Sequence, residues 1–236
     1  MLVVSNIDLK ANVPMMKPLE FFKSSVRDFI LNVNNDYRYM KTGYYVSLHA
    51  EILGNKAVPS TENIVDAYRL PIMLVRASKA GVPTMPYLVT DSVKHIMSEF
   101  KFPVIIFAVN PFSLNGFKTA QNRSALYRAV KSLSMNYRYA VCVQPFFGHL
   151  VECKSFFGKC MVDDEGVNEI SRKVYETFNI PVCKLHIQLV NGKAYLCGFK
   201  PLCMEEISPS DLHMISSGIR EISEKASLID KNCMFC

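Results

Sequence analysis

Two histidine–cysteine pairs and one terminal cysteine pair are the residues of this chain whose types and spacing could do chemistry. Residues 183–190 and 193–199 flank Asn191-Gly192, the strongest short hairpin signal. A two-residue turn there pairs Val190 with Lys193 and sets His186 opposite Cys197. An imidazole and a thiolate on one face are two zinc ligands, and Cys183 or Cys203 could supply another. The simpler reading, which we prefer, is a buried, hydrogen-bonded His186 beside an apolar Cys197. His149 precedes Cys153 by four residues and would be a base for a thiol nucleophile. Five histidines and eight cysteines make such pairs by chance, however. Cys233-Met234-Phe235-Cys236 is a single CxxC, weak evidence for zinc, and a poor prenylation box because it ends in Cys.

Composition narrows the classes. The chain has 236 residues, half of them hydrophobic, enough for one to two domains with a substantial core. Its net charge of +6 is spread without a run of five basic residues, so a solvated surface is expected rather than a nucleic-acid footprint. No basic leader followed by a long apolar stretch opens the sequence, and no apolar run reaches membrane-spanning length. A soluble cytoplasmic protein with reduced, mostly buried cysteines is expected, without membrane or nucleic-acid partners.

The elements that must position these residues alternate. Strands are expected at 2–4, 57–59, 87–90, 104–109 and 139–144. Helical periodicity runs over 18–31 (Leu19, Phe22, Val26, Ile30), and further helices are expected at 44–53, 66–79, 92–99, 124–133, 167–178 and 211–227. Thr61 is placed as the cap of a helix starting near Glu62, Pro71 in the first turn of a helix or at a kink, and Ser210 as the cap of the last helix. Residues 150–156 and 159–162 read as antiparallel strands turning at Phe157-Gly158. The pattern is α/β, with mixed pairing in the second half.

An ordered series of segments resembles the RimK-type ATP-grasp ligases. It begins at residues 79–89 (KAGVPTMPYLV) and continues through Phe102–Ile106, Asn122-Arg123-Ser124, Val141–Gln144 and Gly148-His149. A hairpin ending at Gly158-Lys159 follows, and the closing hairpin aligns from His186 to Pro201. Residues 43–60 resemble the pre-ATP-grasp domain that precedes such ligases. The resemblance spans roughly residues 30–225. It implies an N-terminal pre-ATP-grasp-like domain at 1–80 and an ATP-grasp-like domain at 81–236, divided near residue 140 into central and C-terminal subdomains.

The implied activity is ATP-dependent joining of a carboxylate to an amine through an acyl phosphate, which needs cations on the phosphates and oxygen ligands on magnesium. The two family lysines fall at Leu70 and Phe107. The phosphate-covering loop reads Pro111–Gly116, and only Gly116 is a glycine. At the adenine hinge Gln144 remains, but Pro145 replaces the acidic residue after it. Phe147 joins Phe107, Phe112, Phe117, Phe146, Phe156 and Phe157 in an aromatic lining for the former cleft. The family's Asp and Arg after Gly148-His149 become Leu150 and Glu152. The magnesium ligands fall at His186, Gly198 and Lys200, which requires a hairpin register one residue away from the turn-derived one. The expectation is a non-catalytic relative with no cofactor, acting through a protein partner. The alternative is an active ligase whose Arg69, Lys118, Lys154 and Lys200 replace the lost lysines around magnesium and ATP.

Overall fold

The structure, a computed structural model, describes residues 1–109 and 116–233, with side chains through residue 225. The proposed phosphate-loop residues before Gly116, Phe112 included, and residues 234–236 of the terminal CxxC lie outside what it describes.

Three sheets carry the described residues. The first is wholly parallel, in the order β2-β1-β3-β4, from β1 (Leu2–Ser5), β2 (Met15–Met16), β3 (Ile30–Val33) and β4 (Ala57–Val58). Every residue of β1 and β3 is buried, as in a parallel strand covered on both faces. One face packs on α2 (Thr42–Ile52) through Val46 and Ala50. The other joins Ile64 of α3 (Thr61–Ala67) and Met73 and Leu74 of α4 (Leu70–Lys79).

The expected helix over 18–31 is a correction. Only α1 (Pro18–Phe21) is helical, and Ile30 and Leu31 enter the middle of the parallel sheet. Helical spacing of apolar residues lost here to burial on both faces of a strand. Ser60, not Thr61, caps α3 by accepting from the Asn63 amide, and Pro71 sits in the first turn of a separate helix α4.

The second sheet is antiparallel, in the order β5-β8-β6-β7, from β5 (Leu88–Thr90), β6 (Val104–Ala108), β7 (Phe117–Ala120) and β8 (Val141–Pro145). Val104, Ile106, Val141 and Val143 pack under α5 (Val93–Glu99) and α6 (Arg123–Leu133). The alternate residues Ile105, Phe107 and Cys142 join the larger core instead.

The third sheet, β11-β10-β9, is also antiparallel: β9 (His149–Phe156), β10 (Val182–Val190) and β11 (Lys193–Lys200). The expected strand at 159–162 shrinks to one bridge between Phe156 and Lys159. Helix α7 (Glu165–Phe178) covers one face, where the Ser155 and Ser171 hydroxyls lie 2.7 Å apart. Helix α8 (Pro209–Cys233) follows a 3₁₀ turn, Met204–Glu206. Its first-turn cap is Ser208 rather than Ser210: the Asp211 amide donates to Ser208 Oγ while the Ser208 amide donates to Asp211. One apolar core runs from β1 and α4 to Cys183, Leu185 and Ile187 of β10, so residues on both sides of position 80 share it.

Candidate functional site

Two rungs of the third sheet define the site. Glu152, His186 and Gly198 lie side by side across β9, β10 and β11, and so do Lys154, Lys184 and Lys200. The period of two puts both rungs on one face. Phe107 and Phe117 of the second sheet cover that face, their ring centroids 6.3 and 4.9 Å from His186.

The predicted facing of His186 and Cys197 is not formed. Val190 does pair with Lys193, as the turn dictates, but between Ile187 and His186 the partner jumps from Leu196 to Gly198. Cys197 is the extra residue of a β-bulge. The turn-derived and family registers therefore both hold, at opposite ends of one hairpin. Among the described residues no group of three His, Cys, Asp or Glu could hold a metal. The His149–Cys153 pair also fails. His149 is exposed, Cys153 is buried, and four residues of strand separate them by roughly 13 Å.

Three lysines abreast repel one another. Carboxylates offset this from two directions. Lys184, only 5% exposed, places Nζ 3.1 Å from Glu152 Oε2 and 2.8 Å from Glu206 Oε1. Lys154 Nζ reaches Asp211 Oδ2 at 2.7 Å and also donates to the Glu206 carbonyl. Lys200 Nζ lies 3.7 Å from Glu152 Oε1. Burial pushes Glu152 up, but Lys184, His186 and Lys200 together hold it below the usual carboxylate range. Glu206 is held low chiefly by the Lys184 hydrogen bond.

His186 Nε2 is 3.0 Å from Glu152 Oε1, and its buried Nδ1 has no hydrogen-bond partner among the described residues. Burial pushes its pKa down, Glu152 pulls it up, and Lys200 and Lys184 push it down again; the net direction is downward. A depressed histidine stays neutral in the fold while the unfolded chain, titrating near 6.5, takes up protons first. Its contribution to stability is therefore present above about pH 6.5 and is lost as pH falls through the folded value. We expect urea midpoints measured from about pH 7.5 to 5 to fall over that window. His186→Gln should flatten the decline; an unchanged pH slope would remove His186 as its source.

Gly198 leaves no ligand. A Cβ there would lie 3.0 Å from Phe107 Cε1 and 3.2 Å from His186 Nδ1, so the Phe107 ring already occupies that space. The segment from Pro145 to Phe147 is tied to β10 by one side chain. Gln188, fully buried, donates from Nε2 to the Pro145 carbonyl at 3.0 Å and accepts at Oε1 from the Phe147 amide at 2.8 Å. Gln144 Nε2 donates to the Cys197 carbonyl at 3.0 Å. Phe107, Gln144, Phe147, His186, Gly198 and Lys200 are thus brought together. Leu70 is a core residue at the start of α4, and Gly116 is exposed ahead of β7. Phe157 packs elsewhere, against Tyr175 of α7 and Gly218 of α8. Arg69 is exposed ahead of α4, and Lys118 Nζ donates to Ser132 Oγ at 2.8 Å. Sequence reasoning missed Lys184, Gln188, Glu206 and Asp211. A signal for two of them was present: Lys184, His186 and Gln188 are polar at every second position of an apolar strand.

The comparisons agree with this architecture. The sequence matches the family described as RimK-like ATP-grasp N-terminal domain over residues 19–217, and the chain belongs to that family. No curated protein matches it by sequence. Among solved structures, a RimK-domain ATP-grasp protein from Sphaerobacter thermophilus superposes with a TM-score of 0.64 at 12% identity, covering 92% of this chain and 99% of that one. D-alanine–D-alanine ligase from Bacillus anthracis gives 0.64 at 14% identity, with coverage of 95% and 98%. The Helicobacter pylori D-alanine–D-alanine ligase gives 0.58 at 15%, covering 82% and 72%. At these identities the likeness shows the fold. No described helix is long and apolar enough to cross a membrane.

Proposed function

We propose that this chain is an ATP-grasp-fold protein without ligase chemistry, acting in the cytoplasm as an interaction or regulatory subunit beside a protein partner. The observation that carries this reading is Gln188. A hinge that binds adenine offers a carbonyl and an amide, and here the Gln188 carboxamide uses the one N–H of Phe147 and one lone pair of the Pro145 carbonyl. The magnesium positions support it. That ion takes hard oxygen donors, whereas here an imidazole, a bare glycine and a lysine stand beside Lys184. An active ligase would have to free Lys154, Lys118 and Lys200 from the groups they face.

The test is a thermal shift with millimolar magnesium–ATP. A ligand that binds only the folded state raises its melting temperature. We expect a change under about 1 °C. A rise of several degrees would restore the ligase reading.

A further inference from the structure

Although no run of basic residues marks it and a spread charge is the expectation, the charge of this molecule is unevenly placed. Of its 27 basic and 21 acidic residues, seven and two fall between positions 81 and 140. About a quarter of the chain therefore holds +5 of the net +6. The acidic pair is Asp91 and Glu99, and the stretch 110–115 adds no charge.

The fold gathers that charge on one layer. Helices α5 and α6 cover the same face of the second sheet, so their outer sides face solvent. Along α6, Tyr127 and Arg128 are exposed, and exposed Lys131 lies four and three residues beyond them, so each borders Lys131 on the outer side of the helix. Arg123 sits at the head of the helix with its guanidinium 5.6 Å from the Tyr127 ring centroid. Beyond the helix, Met135, Asn136 and Tyr137 turn through three successive left-handed conformations, φ 53, 58 and 63°. Buried Ser134 holds this turn: its Oγ accepts from the Tyr137 amide, and its carbonyl accepts from Arg138 and Tyr139. Tyr137, Arg138 and Tyr139 are all exposed.

Among the described residues, none of Arg123, Arg128, Lys131 and Arg138 is in an ion pair. Arg38, Arg76, Arg172 and Lys184 elsewhere each have a carboxylate, whereas Arg27 and Arg69 also lack one among the described residues; what sets this face apart is four such cations on one layer with tyrosines between them. Unpaired arginines interleaved with exposed tyrosines match the residues that dominate protein–protein contacts. The uncompensated charge sets the sign of the partner.

We infer that the outer face of α6 and the turn after it form the docking surface for an acidic protein segment. This deepens the interaction-subunit reading and rests on it. Carboxylates of the segment bond the guanidinium groups, and the tyrosine rings pack on its backbone and stems.

The probe is a labelled peptide of alternating glutamate and glycine, followed by fluorescence anisotropy. We expect binding that weakens severalfold as salt rises from about 50 to about 300 mM. The double substitution Arg128→Glu/Lys131→Glu should weaken it at least tenfold. Lys23→Glu/Arg27→Glu, the same charge change at exposed sites of the N-terminal region, should weaken it less than threefold. No peptide binding by the wild type, or equal losses in both double variants, overturns the surface. Tighter binding of a single-stranded RNA oligonucleotide than of the peptide also overturns it and assigns the face to nucleic acid. A thermal shift with magnesium–ATP would sink the non-catalytic reading yet leave peptide binding intact, so the two failures are distinguishable.

Discussion

Gly148→Ala should lower stability by roughly 3 kcal/mol, one of the two largest single-site effects we expect in this protein. Gly148, the residue before β9, has φ 67°, where a Cβ alone costs on the order of 1 kcal/mol. Here the added carbon would also fall 2.0 Å from the Leu189 carbonyl oxygen, a backbone atom that cannot rotate away. Relief requires parting β9 from β10 at the His149–Leu189 rung, beside the Phe147–Gln188 bond. Gly192→Ala is the control. Its φ is 74°, but nothing lies within 4 Å of where its Cβ would sit, so it should cost only about 1 kcal/mol. Urea denaturation of both variants separates the terms. Equal losses would mean that the close approach at Leu189 contributes nothing.

The second large effect lies at Lys184. Lys184→Ala removes a buried stem and leaves Glu152 and Glu206 without their shared cation, which should cost roughly 2–4 kcal/mol. Lys184→Met keeps the stem volume and removes only the charge. Both carboxylates are more than a third exposed, so water takes over much of their solvation and the loss should shrink to about 1 kcal/mol. If Met costs as much as Ala, the ion pairs rather than the buried stem hold this corner together.

Much of the architecture was legible because local signals agreed with the tertiary outcome. Asn191-Gly192 turns its hairpin and Pro71 falls in the first turn of α4, whereas the caps read at Thr61 and Ser210 belong to Ser60 and Ser208. The helix expected over 18–31 failed for a physical reason. The spacing of Leu19, Phe22, Val26 and Ile30 suits a helix, but Ile30 and Leu31 are central-strand residues whose burial depends on partners far along the chain. The site was legible as positions rather than as interactions. Phe107, His186, Gly198 and Lys200 do converge, yet nothing near them in sequence says that Glu206 and Asp211, from a turn and a helix after the hairpin, supply the counter-charges. The bulge at Cys197 was present only as a conflict between two registers, and its resolution needed a third strand. Glu152 opposite His186 fixes the base of the hairpin independently of its turn.

That bulge acts as a slack segment between two fixed ends. The tip obeys Asn191-Gly192, the base obeys β9, and the one-residue disagreement is stored at Cys197. Removing one residue from β11 between the turn and Cys197 would flatten the stored kink while His186 stayed opposite Gly198. The tip can thus shorten over evolutionary time, or be recut by an engineer, without disturbing the charged rungs a few residues below it.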